Sequence, residues 1–314
     1  MKKAVNVIMP IIIMLLVAGL CVSLYYFFTH NNGKTANDSS IETVVSTDAI
    51  FSLEDFPKIE VSTSMKPLVT AFIKDFTGND TNLNELTKYT ENNRPEYSKL
   101  INGETDIIIS TKPSEQELKL ASDAGVELEL IPIVKEGLVF YVNINNPLND
   151  ISLDNIKKIY TGNITNWSEL GGNNEEIIAF QKPNNSESQI GMISLVMNDL
   201  KFMDPPSENN EENINLISNF DNNISSIGYA YYTYVTMMYD TIDSGYSNSI
   251  KLLKVDGIEP NYNSIKDGKY PIITEYYIIT RKDGQSENTK KLIEAILSER
   301  GKKVIKEAGY VSSK

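Results

Sequence analysis

With 314 residues, 41% of them hydrophobic and 23% charged, the chain can bury one large core or two medium ones. Its formal charge of −13, with no basic cluster larger than Lys302-Lys303 near the end, argues against nucleic acid and against anionic membrane surfaces as partners. A single cysteine excludes an intramolecular disulfide, and a single histidine, His30, excludes His-based triads and zinc clusters.

The chain opens on Lys2 and Lys3, followed by residues 4–28, where Asn6 and Ser23 are the polar interruptions. A helix of that length spans a bilayer core of about 30 Å, and the positive N-terminus places the remaining chain outside. Residues 1–28 are therefore expected to form a single-pass transmembrane anchor in the cell membrane. A cleaved signal peptide and a lipoprotein signal acylated at Cys21 are the rival readings. Against both, Leu20 stands where a lipobox has a small residue, and the sequence after Cys21 stays apolar. Residues 29–54, rich in Asn, Ser, Thr and Asp, read as a flexible spacer, which leaves one folded region over 55–314.

That region alternates β-rich runs at 58–61, 106–110, 138–143, 177–180 and 276–280 with helical patterns at 67–76, 114–124, 153–160 and 286–299, an α/β signature. Two of its junctions have the makings of an anion cradle. In EVSTSMKPL a strand runs through Thr63, Ser64 and Met65 into a helix with Pro67 near its first turn, where backbone N–H groups and hydroxyls are available to an oxyanion. Simple N-capping by the same hydroxyls is the alternative. In AFQKPNNSESQIGM a strand is followed by Lys182, Ser186 and Ser188 and then an apolar helix, which reads equally as an oxyanion loop and as a solvated turn with a cap. Between the two junctions, Ser152 caps residues 153–160, Gly162 ends that helix, and Trp167 anchors the turn before Gly171-Gly172. The Asn/Glu-rich residues 207–213 read as a surface loop, and the aromatic run 227–239 reads as core, with a sugar-stacking surface as the alternative.

The string TGNITNWSELGG at 161–172 closely resembles the second-lobe signature of phosphate-binding proteins of ABC importers, in the type II periplasmic-binding-protein family. The likeness extends over nearly everything after Phe56. Relatives carry Gly-Ser-Thr-x-x-x-Pro-Leu where this chain has Ser62, Thr63, Pro67 and Leu68, with Val61 in the glycine's place. They carry Arg-Pro-x-x-Ser-Gly-Ser/Thr-Gln where it has Lys182, Ser186 and Ser188, with Glu187 in place of the glycine. Thr111 stands where some relatives use an aspartate to accept the phosphate proton, and Asn93, beside Arg94, where a Thr or Ser faces the ligand.

The resemblance implies a two-lobed α/β fold with a ligand cleft between the lobes, lobe one at about 55–135 plus 270–314 and lobe two at about 136–269. It implies binding of phosphate or a similar oxyanion, an ABC permease as partner, no cofactor and no catalysed reaction. The ligand residues it implies are Thr63, Ser64, Met65, Asn93, Thr111, Lys182, Ser186 and Ser188. A carboxylate at Glu187 is expected to repel phosphate by about 1 kcal/mol in water-like surroundings and more where solvent is excluded. The departures at Glu187, Lys182, Thr111 and Val61 fit the competing reading, a degenerate binding domain used as a sensor or interaction module.

Overall fold

The computed structural model describes residues 48–79, 87–90, 95–183, 186–204, 224–241 and 249–313. The membrane anchor expected over 1–28, and the spacer as far as residue 47, lie outside them; among the described residues no helix is long and apolar enough to cross a membrane. Residues 48–54, which composition assigns to the end of the spacer, are tied to the body. Ile50 and Phe51 donate their N–H groups to the Phe76 carbonyl at 2.7 and 3.1 Å, and Arg300 reaches the Asp48 carbonyl at 2.7 Å. The cause is Phe51, which is buried with its ring edge-on to Phe56 at 5.6 Å. Burying an aromatic side chain offsets the entropy lost by the few residues ordered around it.

Two parallel strands form the centre of the first sheet. β1 (Ile59–Ser62) and β3 (Ile107–Ser110) are buried along their whole length, as strands covered on both faces must be. β1 pairs in parallel with β3 and with β2 (Thr87–Thr90). One face is covered by α1 (Lys66–Thr77), whose Leu68, Val69, Phe72, Ile73 and Phe76 are buried on one side and whose last turn closes at Gly78 with φ 66°. Phe72 and Phe76 stack at 5.6 Å, and truncating either to Ala costs about 3–5 kcal/mol. α2 (Glu96–Asn102) follows β2, and α3 (Glu115–Asp123) starts in a capping box made by Ser114 and Glu117.

β4 (Leu128–Asn143), 16 residues long, joins the two halves of the molecule. Its first part, Leu128 to Gly137, pairs antiparallel with β10 (Ile273–Arg281), and Val134 and Lys135 also pair with β11 (Val311–Ser312). β10 in turn pairs with β3. From Leu138 onward β4 pairs instead with β7 (Ser226–Tyr231) and, at its end, with β8 (Ile250–Leu252). β6 (Ile178–Ala179) extends this second sheet beside β7, and β5 (Asp150–Ile151) pairs with β9 (Lys254–Val255) in a small parallel ladder.

Around the second sheet lie α4 (Leu153–Tyr160), α5 (Glu187–Gly191) and α6 (Tyr232–Thr241), whereas α7 (Tyr262–Lys266) packs against β4 and β11. α4 begins at Ser152, whose hydroxyl accepts from Asn155 N at 3.1 Å, and it is followed by Gly162 at φ 76°. Trp167 is buried and donates its indole N–H to the Ser225 carbonyl at 2.9 Å, which makes it an anchor of the turn. The aromatic run 227–239 divides between β7 and α6. The helix expected at 286–299 is α8 (Glu287–Leu297); it stops at Ser298, whose extended backbone and hydroxyl cap a further helix, α9 (Glu299–Glu307). Gly301 makes that close turn feasible, since a Cβ there would collide with the Ile296 and Ala295 carbonyl oxygens.

Candidate functional site

β1 ends at Ser62, and a 3-10 turn, Thr63–Met65, leads into α1. No side chain caps the start of α1, where Met65 is the N-cap residue, so capping does not account for the hydroxyls in this turn. Those hydroxyls point elsewhere. Ser64 Oγ donates to Glu187 Oε2 at 2.6 Å, and Tyr276 OH, from β10, donates to the same oxygen at 3.0 Å. With its proton spent on the carboxylate, Ser64 Oγ accepts from Ser62 Oγ at 2.8 Å. Tyr310 OH fixes the turn from behind through a 2.5 Å bond to the Ser64 carbonyl. Tyr231, on β7, meets the Tyr276 ring edge-on at 5.7 Å and donates to the Glu187 backbone carbonyl at 3.4 Å.

A second carboxyl lies beside this cluster. Glu136, on β4, is 1% exposed and accepts from Thr233 Oγ1 at 2.9 Å and from Thr233 N at 3.3 Å, at the first turn of α6. Burial, against the opposing pull of those bonds and with the Glu187 charge adding to it, pushes the Glu136 carboxyl up to about 8. Burial also holds the Tyr276 hydroxyl far above its ordinary range, with the charge of Glu187 adding to the effect. Tyr276 is thereby fixed as a donor, and donors from β10 and the β1–α1 turn converge on one carboxylate oxygen.

The loop between β6 and α5 is organised by Gln189, which is 1% exposed. Its Oε1 accepts from Lys182 N at 3.1 Å and from the Tyr229 hydroxyl. Ser186 Oγ accepts from Gln189 N at 3.3 Å and so caps α5. Lys182 is buried, with Nζ 5.7 Å from the centre of the Tyr234 ring, and burial lowers its pKa to about 8. Desolvated over an aromatic face, this ammonium would gain from an anion.

The expected ligand residues thus divide. Ser64 is brought directly against Glu187. Ser186 and buried Ser188 stand at the start of α5, and Lys182 lies in the loop before it. Met65 is fully buried, so only its backbone can serve a ligand. Thr63 lies in the 3-10 turn, its side chain outside the described atoms. Thr111 follows β3 and offers its carbonyl to Tyr97 OH at 2.6 Å. Asn93 and Arg94 lie outside the described residues. Sequence reasoning passed over Tyr276 and Glu136. Tyr276 sits in an apolar strand where nothing marks its hydroxyl, whereas Glu136, an acid amid the apolar residues of β4, was a visible signal. The expectation that Glu187 simply repels anions is also incomplete, because its carboxylate is seated among donors.

The PBP superfamily domain profile matches residues 57–300. Over 254 residues the chain is 23% identical to the phosphate-binding protein PstS of Bacillus subtilis, covering 81% of this chain and 79% of that one. It is 26% identical over 223 residues to PstS of Staphylococcus haemolyticus, covering 69% and 68%. A crystal structure of a candidate phosphate ABC transporter substrate-binding protein from Clostridium perfringens, with bound phosphate, superposes with a TM-score of 0.64 at 24% identity, covering 82% of this chain and 99% of that one. Sheet order, profile and superposition agree: the chain belongs to the PBP superfamily and has its two-lobed α/β binding-protein fold.

Proposed function

We propose that this chain is an extracellular solute-binding protein for phosphate or a related oxyanion, held at the membrane by its N-terminal segment and serving an ABC permease. The observation that carries the reading is the convergence of Ser64 and Tyr276 hydroxyls on a carboxylate oxygen of Glu187, which places a tethered oxyanion at the start of α1. Fixed hydroxyl donors of this kind replace a hydration shell at little reorganisation cost. Lys182 and the Ser186 and Ser188 hydroxyls would complete the ligand's shell from the second lobe, the Thr63–Met65 backbone and Thr111 from the first. The lobes themselves are assigned as about 55–135 plus 270–314 and about 136–269. The PstS relatives, named as phosphate-binding proteins, support the ligand class and give no reason to expect catalysis.

In this reading Glu187 competes with the ligand it resembles. A free oxyanion must displace the carboxylate from Ser64 and Tyr276, so affinity is lower than in a cleft with glycine at that position. Calorimetric titration of phosphate into wild type, Glu187→Gly and Ser64→Ala tests this. Tighter binding in Glu187→Gly and weaker binding in Ser64→Ala are expected. Absence of saturable binding in all three at millimolar phosphate sinks the phosphate reading and favours the sensor or interaction module.

A further inference from the structure

Four lysines from three separate stretches of the sequence converge on one open pocket of about 320 Å³. Lys135 comes from β4, Lys266 from the end of α7, and Lys302 and Lys306 from α9; Tyr262 and Ser313 line it with them. Among the described residues no carboxylate lines this pocket, in a chain with 42 acidic residues. The lysines around it are paired: Lys269 with Asp267 at 3.1 Å, Lys303 with Glu307 at 3.7 Å, and Lys302 itself with Glu299 at 2.7 Å. Lys135, Lys266 and Lys306 have no carboxylate of a described residue within 4.0 Å. Lys135 Nζ instead donates to the Lys266 backbone carbonyl at 3.2 Å. Gathering like charges without counter-charges is unfavourable unless an anion offsets it.

A second, independent observation concerns Ser313. Its hydroxyl oxygen is buried and has no hydrogen-bond partner among the described residues, although its backbone N–H is bonded to the Ile133 carbonyl at 3.0 Å. A buried orphan hydroxyl at the edge of a lysine pocket is a donor without an acceptor, which a bound oxyanion supplies.

The position matters as much as the charge. Lys135 pairs with Val311, and three residues later Leu138 is the first β4 residue to pair with β7. The pocket therefore flanks the place where β4 passes from one sheet to the other, with α7 on one side and α9 with β11 on the other. Strand alternation puts Lys135 on the face of β4 opposite Glu136, so the pocket is separate from the Glu187 cluster.

We propose that this pocket is a second anion site, for a multiply charged phosphate-type anion that bridges α7 and α9 across β4. Its volume is at the small end of ligand pockets, about 300–1,000 Å³. Two to four ammonium groups around it favour a compact polyanion over a single carboxylate.

The test is calorimetric titration of the intact chain with pyrophosphate. Wild type should bind saturably, more weakly as salt is raised. The double variant Lys266→Ala/Lys306→Ala should lose about tenfold or more in affinity, whereas Lys119→Ala/Lys254→Ala, which removes two exposed lysines that do not line the pocket, should leave it unchanged. Lys266 and Lys306 are exposed, so their double variant should melt with the wild type; Lys306→Gln serves if it does not. No saturation in wild type at millimolar pyrophosphate overturns the proposal. So does equal binding by the pocket variant, which would put the anion elsewhere, or an equal loss in Lys119→Ala/Lys254→Ala, which would make the effect one of net charge. Failure of phosphate to bind the cleft leaves this result readable, because the two sets of variants do not overlap.

Discussion

Ser64 and Glu187 are 123 residues apart in the chain and 2.6 Å apart in the fold, joined by a hydroxyl that donates to a carboxylate. The bond ties the turn before α1 to the first residue of α5. Hydrogen bonds to a charged group contribute about 1.5–3 kcal/mol each. Two of them on one oxygen hold the Glu187 carboxylate between the turn before α1 and β10.

Tyr276→Phe removes the second donor from the Glu187 oxygen while keeping the buried ring. A destabilisation of about 1–3 kcal/mol is expected, and a double-mutant cycle with Glu187→Gln should show coupling rather than additivity. Urea denaturation of the four proteins measures it. Additive losses would mean that the 3.0 Å contact carries no energy.

Glu136 should make stability fall with rising pH. Its carboxyl, ordinarily near 4.5, is pushed up to about 8 by burial, so between those values the folded chain holds a proton that the unfolded chain releases. Stability declines across that window, by a few kcal/mol in all, and the full cost is present above pH 8. Glu136→Gln keeps the Thr233 contacts and should flatten the profile. Denaturation midpoints at about pH 5, 7 and 8.5 decide it, and a slope that persists in the variant assigns the effect to another group.

Lys182 has the opposite sign. Burial lowers its pKa from 10.5 to about 8, so between those values the unfolded chain binds more protons and stability rises with pH. Below pH 8 the cost of the buried charge is complete. Lys182→Met should therefore stabilise the unliganded protein at pH 7 and weaken oxyanion binding at the same time. A variant that loses stability at pH 7 would show that the ammonium is already compensated.

Gly228→Ala should destabilise by about 1–3 kcal/mol, because overpacking in a closed core forces backbone or rotamer shifts. A Cβ at this β7 position would lie 2.7 Å from Tyr141 Cζ and 2.8 Å from its hydroxyl oxygen. Tyr141 is fully buried and has no room to withdraw. Thermal unfolding reads the effect directly, and a melting temperature equal to wild type would mean that the ring does move.

What the sequence disclosed was local. Ser152 with Ile156, Ile159 and Tyr160 marked α4 at the bounds it has, and the helical pattern at 114–124 marked α3 to within a residue at each end, because caps and helical periodicity act within a few residues. The helix expected at 286–299 likewise ends within two residues of α8, at the Ser298 that caps α9. The join between spacer and body is not local, since only the fold shows that Phe51 has a place beside Phe56. In the cleft, the strand-to-helix turn at Thr63–Met65 was legible and its partner Tyr276 was not. Which hydroxyl meets which carboxylate across 89 or 123 residues depends on strand register and lobe packing, and neither is written in any short stretch.

The route of the chain through β4 has a consequence for biosynthesis. The first sheet has β1, β2 and β3 early, but β10, which separates β3 from β4 in that sheet, is made more than a hundred residues after β4, and β11 and α9 later still. During vectorial synthesis the N-terminal half therefore exposes unpaired edges until the last part of the polypeptide emerges, while the second sheet can close on its own around β4, β7 and β8. Such an order delays completion of the fold and leaves the nascent polypeptide unlocked for as long as it is being elongated.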